Sequence, residues 1–327
     1  MAERSRVLIV GMGPISGIGI GREDFAQGLG EGREGIREVE SFNPEAYGFT
    51  QAAECLDFAL EDYLESEKTY LDRCSAFTLA ACTLALGDAG VARGAVPPER
   101  TGLVLGTGYG PLDTMWAHTV RVEQNGARRA SSVLFLHSFV NTPISLASIE
   151  FDIQGPVACY CSGLASAGAA LQYAADLIAD GRADLVLAGG VDALSEALYA
   201  ALDEEGRIGP DFVPGEGAAL LALQSAEGAA ARGAAGLAEV KAVGLATEPG
   251  DPAAAERVAL ARALSEAGLE EGEARAFEAP REYGRPFGAA CAMDICAAIC
   301  QGLPEGALSV TVSDPAGLGC AVILTKP

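Results

Sequence analysis

Histidine is nearly missing from this chain: two among 327 residues, His118 and His137, both in the first half. That scarcity leaves little from which to build an imidazole-ligated metal centre. No serine lies in a Gly-x-Ser-x-Gly elbow, so a Ser-His-Asp arrangement has no obvious nucleophile. Basic residues are also few, 22 against 45 acidic, for a net charge of −23 and a pI near 4.4. Such a balance repels nucleic acid and anionic lipid surfaces, and an acidic carrier protein would dock poorly on it; as a solvated surface it also favours solubility. No run reaches 18 apolar residues free of charge or turn signals, which excludes a spanning helix. The opening Met-Ala-Glu-Arg-Ser lacks the apolar core of a signal peptide, so a cytoplasmic setting is expected. Aromatics make up only 6% of the residues, with a single tryptophan.

What is present is small and apolar. Half the residues are hydrophobic, and Ala, Leu, Val and Gly dominate, as where helices pack closely on a sheet. Nine cysteines sit mostly inside apolar runs, which points to reduced, buried thiols and not to a disulfide framework. Cys291, Cys296 and Cys300 follow a helical pattern without two-residue spacing, which argues against a metal site.

The chain alternates strand and helix signals. Val7–Val10 reads as a buried parallel strand entering a glycine turn at Gly11-Met12-Gly13. Asp72 to Leu86 has helical spacing, and Asp88-Ala89-Gly90 closes it. Residues 101–108 form a strand, 164–180 a long helix, and 183–189 another strand. A second cycle follows, with a strand over 238–246, helices over 252–267 and 288–301, and closing strands at 308–313 and 319–324. This alternation predicts an α/β fold with a parallel sheet covered by helices on both faces. The seam between the halves is expected in the Ala-, Gly- and Arg-rich stretch 227–236, dividing the chain into residues 1–235 and a shorter 236–327.

Single motifs carry little. Gly11-x-Gly13-x-x-Ser16 lacks the third glycine of a dinucleotide fingerprint, and no acidic residue follows at the needed distance. Glu216 in Gly215-Glu216-Gly217 reads as a turn residue held by backbone amides. His137 and Cys161 form a formal base–nucleophile pair that spacing alone does not join.

Taken in order, however, the motifs resemble the β-ketoacyl synthases of the thiolase superfamily. They comprise the opening Val-Leu-Ile-Val-Gly-Met-Gly-Pro-Ile-Ser-Gly-Ile-Gly, Asp72-Arg73 before an Ala-rich helix, and Gly106-Thr107-Gly108. Asn141, Gly155-Pro156, Gly181-Arg182-Ala183-Asp184, Ala188-Gly189-Gly190 and Phe212-Val213-Pro214-Gly215-Glu216-Gly217 complete the set. The resemblance implies a thiolase-like fold: two related βαβαβαββ halves in α-β-α-β-α layers, the second half shortened. In that family the active cysteine lies nine residues after the Gly-Pro glycine and 25 before the Gly-Gly pair. Counting from Gly155 and back from Gly189 both reach Leu164. Placing Cys161 there instead would need a three-residue deletion and a matching insertion.

The family's two histidines are replaced as well. The His-Gly-Thr turn has as its nearest equivalent Phe277-Glu278-Ala279-Pro280. The Gly-His-x-x-Gly-Ala-Ala segment reads Gly284-Arg285-Pro286-Phe287-Gly288-Ala289-Ala290, with Arg285 in place of the base. The Asn-Ser-Phe-Gly-Phe-Gly-Gly loop becomes Ser313-Asp314-Pro315-Ala316-Gly317-Leu318-Gly319. The resemblance therefore implies a chain-length-factor type of subunit in a type II polyketide or polyene synthase. It implies an active ketosynthase as heterodimer partner, joined across an edge strand near residues 157–161. No bound cofactor is expected, since the growing chain rides on the phosphopantetheine of a separate acyl carrier protein that docks through the partner. Tunnel-gating positions fall on Pro111, Thr114 and His118. Two other readings stay open: a self-sufficient cysteine acyltransferase using Cys161, and a purely stabilising scaffold.

Overall fold

A computed structural model describes residues 5–68 and 70–327; the opening Met-Ala-Glu-Arg, read above for a leader, lies outside them. The first part of the chain comprises β1 (Val7–Ser16), β2 (Gly19–Ile20), α1 (Gly21–Glu31), β3 (Ile36–Glu38), β4 (Gln51–Ala53), α2 (Arg73–Asp88), β5 (Thr101–Gly106) and α3 (Leu112–Asn125). It continues with α4 (Ser132–Leu136), α5 (Thr142–Glu150), β6 (Val157–Tyr160), α6 (Ser166–Ala179), β7 (Leu185–Asp192), α7 (Glu196–Glu204), β8 (Gly217–Ser225) and α8 (Ala226–Ala231). The remainder holds β9 (Ala238–Thr247), α9 (Pro252–Ala267), β10 (Ala274–Ala276), α10 (Ala290–Gln301), β11 (Ala307–Asp314) and β12 (Leu318–Thr325).

The strands hydrogen-bond in the order β10-β11-β12-β9-β1-β8-β7-β5-β6, with β2 beside β1. Helices α2 and α5 cover one outer face through the cluster of Phe77, Ala81, Leu103, Ile144 and Leu187. In the middle, α6 and α10 share one core with strands from both ends of the path, through Leu171, Leu177, Val186, Met293, Ile295 and Val322. Helix α9 covers the other outer face through Ala259, Ala263 and Ile323. Five layers result: helix, sheet, helix, sheet, helix.

Two expectations need correction. The sheet is mixed: β5 is parallel to β6 and β7, and β10 to β11, but every other pairing is antiparallel. A fully apolar strand reports that both its faces are buried and says nothing about its partners' direction. Nor does β1 end at its glycines. It runs ten residues through them, with a register shift against β8 between Ile9 and Gly11.

The reason is helix approach, not a turn. A Cβ on Gly11 would sit 2.4 Å from the Ala89 amide nitrogen, and one on Gly13 would sit 2.3 Å from the Ala81 carbonyl oxygen. Backbone of α2 thus rests directly on β1, capped at its start by Asp72, whose carboxylate accepts from the Ser75 amide at 2.8 Å. Gly13→Ala should therefore cost about 2 to 3 kcal/mol through overpacking against rigid backbone. A midpoint in urea equal to that of the unaltered chain would refute this.

The long second-cycle helix falls on α9 with the expected bounds, Asp251 capping it by accepting from Ala254 at 2.8 Å. The stretch 227–236 holds most of α8 and then a loop, after which the Leu237 amide donates to Ile9 and the chain enters β9. Among the described residues no helix is long and apolar enough to cross a membrane.

Candidate functional site

Strand β6 is the last in the sheet order, so one of its edges has no strand beside it among the described residues. From its end the chain turns sharply into α6. The turn is a 3-10 segment, Gly163–Ala165, so the helix proper starts at Ser166 and not at Leu164 as its spacing suggested. Ser166 fastens the turn: its single hydroxyl hydrogen has the carbonyl oxygens of Gly163 and Thr107 within reach as acceptors, at 2.7 and 3.0 Å, and its oxygen accepts from the Ser162 amide at 2.8 Å. Gly163 adopts φ +53°, a left-handed conformation suited to glycine. Leu164 is buried, 7% exposed, and belongs to the central core. Its amide donates to the Asp314 carboxylate at 3.1 Å.

A buried carboxylate organises the opposite wall. Asp192, at the end of β7, accepts from the Thr107 hydroxyl (2.8 Å) and from the amides of Gly108 (2.6 Å), Tyr109 (2.9 Å), Gly110 (3.1 Å) and Gly288 (2.7 Å). Burial pushes this carboxyl up while its hydrogen-bond donors pull it back. The loop after β5 and the 3-10 segment Phe287–Ala289 are thereby pinned together. Phe287, at φ +39°, stacks edge-on to Tyr109 with ring centroids 5.2 Å apart.

The predicted residues are distributed unevenly around this frame. Arg285 pairs with Asp294 at 3.4 Å and lines a shallow cavity with Asp211, Pro280 and Arg281 that does not include Leu164. Asp294 also accepts from the Tyr283 hydroxyl at 2.6 Å, and burial pushes its carboxyl up to about 6. Cys161 is exposed, and desolvation with the nearby Asp192 charge pushes its thiol up, away from the nucleophilic thiolate. His137 is stacked edge-on to Tyr70 with its Nδ1 3.8 Å from Asp72, buried and without a hydrogen-bond partner, and among the described residues no hydrogen bond joins it to Cys161. Glu216 holds the amides of Cys55 and Leu194, as its turn position suggested. It also pairs with Arg73 at 2.6 Å, an ion pair the sequence reading missed.

Pro111, Thr114 and His118 share one face of α3. Pro111 caps the helix, and Thr114 is 1% exposed with its hydroxyl 3.0 Å from that of Tyr70. His118 lies against Phe135, centroids 5.7 Å apart. A larger cavity, about 710 Å³, lies away from this face, lined among others by Leu86, Val91, Phe151 and Leu187.

Around α3 lies a surface that sequence reasoning missed. Met115, Trp116, Val133, Phe135, Leu136, Phe139, Val140, Ile149 and Val157 are all large, apolar and exposed, and in the chain they fall between α3 and β6. The signal was available: between Arg129 and Glu150 the chain carries no Asp, Glu, Lys or Arg. Asp192 and Asp314 were also missed as organising groups, since their donors come from distant segments.

The β-ketoacyl synthase N-terminal domain model matches residues 4–229, more than half of the chain, so the chain belongs to the β-ketoacyl synthase family. Among curated relatives, the 3-oxoacyl-(acyl-carrier-protein) synthase 2 of Synechocystis is 28% identical over 256 residues, covering 71% of this chain and 60% of that protein. The chain thus spans about 60% of that relative's length. Among solved structures, the ishigamide ketosynthase/chain length factor superposes with a TM-score of 0.89 at 24% identity, covering 99% of this chain and 100% of that one. A type II PKS ketosynthase in complex with its acyl-carrier protein gives 0.84 at 16%, again over 99% and 100%. The fold is that of the thiolase-like ketosynthases.

Proposed function

We propose that this chain is a non-catalytic, ketosynthase-like subunit, a chain-length factor, that pairs with an active ketosynthase and shapes the acyl tunnel in type II polyketide or polyene biosynthesis. The observation that carries this reading is the buried leucine at the strand-to-helix elbow. A leucine has no lone pair with which to attack a thioester, so the family's covalent step has no nucleophile at that point. Arg285, engaged with Asp294 and unable to shed its proton at neutral pH, offers no base in its place.

The partner reading is supported by the apolar surface from Met115 to Val157 next to an open strand edge. Exposed apolar groups of this number mark a surface that another protein covers. The structural likeness to a ketosynthase/chain length factor agrees with that occupant. The partner's cysteine would hold the growing chain as a thioester, and its surface would receive the acyl carrier protein, a task for which this acidic chain is ill suited. Residues 1–235 and 236–327 would then be the longer and shortened halves of the fold.

Co-expression with an active ketosynthase, followed by size exclusion and product analysis, tests the reading. His118→Ala should lengthen the product by about one two-carbon unit, roughly the space the imidazole vacates. An unaltered product distribution from an intact complex would count against the gate and favour a scaffold that never meets the substrate.

A further inference from the structure

The elbow differs from an ordinary strand-to-helix turn in one contact. The β11–β12 hairpin carries Asp314, 8% exposed, whose carboxylate reaches across to the turn. One oxygen accepts from the Leu164 amide at 3.1 Å, and the other accepts from Ala316 at 2.8 Å. The approach is tight: a Cβ on Gly163 would lie 2.2 Å from the oxygen that holds Leu164. Tyr109 and Arg207 are the neighbouring polar groups, with the Arg207 guanidinium beside the Tyr109 hydroxyl and close enough to Asp314 to feel its charge.

Acyl transfer at such an elbow depends on backbone amides left free to receive the negative charge that develops on the carbonyl oxygen. Here the amide of the nucleophile position already has an anionic acceptor. A carboxylate beside a thiol also raises the thiol's pKa and lowers its thiolate fraction. We propose that Asp314 is a positioning residue that keeps the elbow shut. Its carboxylate occupies the Leu164 amide, so restoring a thiol at position 164 does not by itself restore acyl chemistry. The inference rests on the reading that Leu164 stands at the nucleophile position. The absence of a thiol is therefore not the only barrier, and the hairpin supplies the second.

The test compares Leu164→Cys, Leu164→Cys/Asp314→Ala and Leu164→Cys/Asp314→Asn in the full chain, with Asp314→Ala alone as a folding control. Each is treated with iodoacetamide across a range of about pH 6 to 9, which brackets an ordinary thiol's titration. In that reaction the thiolate sulfur forms a bond to the methylene carbon, iodide leaves, and the thiol proton goes to buffer. Peptide mapping assigns the label to residue 164 against the nine natural cysteines. With Asp314 present, the thiol introduced at position 164 should label slowly. Asp314→Ala should speed it about tenfold at neutral pH and move the pH midpoint down by about one unit, as expected when one adjacent charge is removed. Asp314→Asn separates charge from hydrogen bond: it should recover the alkylation rate, which reads charge alone, yet with its amide oxygen still on residue 164 it should not take up an acyl group from a thioester probe, whereas Asp314→Ala should. A thiol at position 164 with equal rates and equal midpoints in all three backgrounds would overturn the proposal. A chain that controls product length but shows no Asp314 effect would sink this inference alone. One with the Asp314 effect but no ketosynthase partner would sink the function and leave the lock standing.

Discussion

If the proposed pairing holds, Phe135→Asp with Phe139→Asp should abolish co-purification of this chain with a co-expressed ketosynthase while leaving the free chain folded. The two rings contact each other edge-on, centroids 5.0 Å apart, and are 48% and 46% exposed, so neither is needed to close the core. In a complex they would become fully covered. An aspartate in either place would then be desolvated without a cation, a burden of about 3 kcal/mol or more for each. Even one such loss weakens binding more than about a hundredfold. Size exclusion of co-expressed chains reads the effect, with circular dichroism and the urea midpoint confirming the fold. A complex that survives both substitutions would remove the apolar surface as the docking face.

The charge of the chain bears on the same contact. A net charge of −23 disfavours pairing of two identical copies, because each brings the same excess. On the proposed reading, a less acidic subunit on the apolar face would relieve that repulsion.

The elements most legible in the sequence were those with caps and a period. Helix α9 starts after Asp251 and ends before Gly268, which takes φ +69°, and both signals lie in the local chain. The turn carrying Leu164 was placed between a strand and a helix, although the helix begins two residues later than its spacing suggested. What escaped was everything decided by partners far away in the chain. Strand direction was one case: β1 is antiparallel to β8 and β9, whose residues lie far later in the chain, and apolar alternation contains no record of that. The glycines of β1 were another. Gly11 and Gly13 looked like a turn because a close helix approach and a turn make the same demand, namely the absence of a Cβ. Asp314 sat in a loop recognisable only as an altered family motif, and its contact with Leu164 spans 150 residues.

Asp192 is the extreme case, and replacing it should be the most damaging single change in the first part of the chain. One carboxylate oxygen accepts from Thr107, Tyr109 and Gly110; the other accepts from Gly108 and Gly288. Asp192→Ala would leave the Thr107 hydroxyl and the amides of Gly108, Tyr109 and Gly288 facing a cavity, while the Gly110 amide keeps the Thr107 oxygen at 2.8 Å. Each buried donor without a partner costs about 1 to 3 kcal/mol, and relaxation would recover part of the sum, so a loss on the order of 5 kcal/mol is expected. Asp192→Asn should be nearly as harmful despite its matching shape. Its amide group would have to present hydrogens to a set of backbone N–H donors, whichever way it is turned. Rescue by asparagine is what a purely space-filling role would give. Urea unfolding of the two variants beside the unaltered chain therefore separates the alternatives: two large and similar losses identify an acceptor hub. An asparagine variant within about 1 kcal/mol of the parent would mean that the five contacts do not carry the loop, since a neutral hydrogen bond has a net worth of that order.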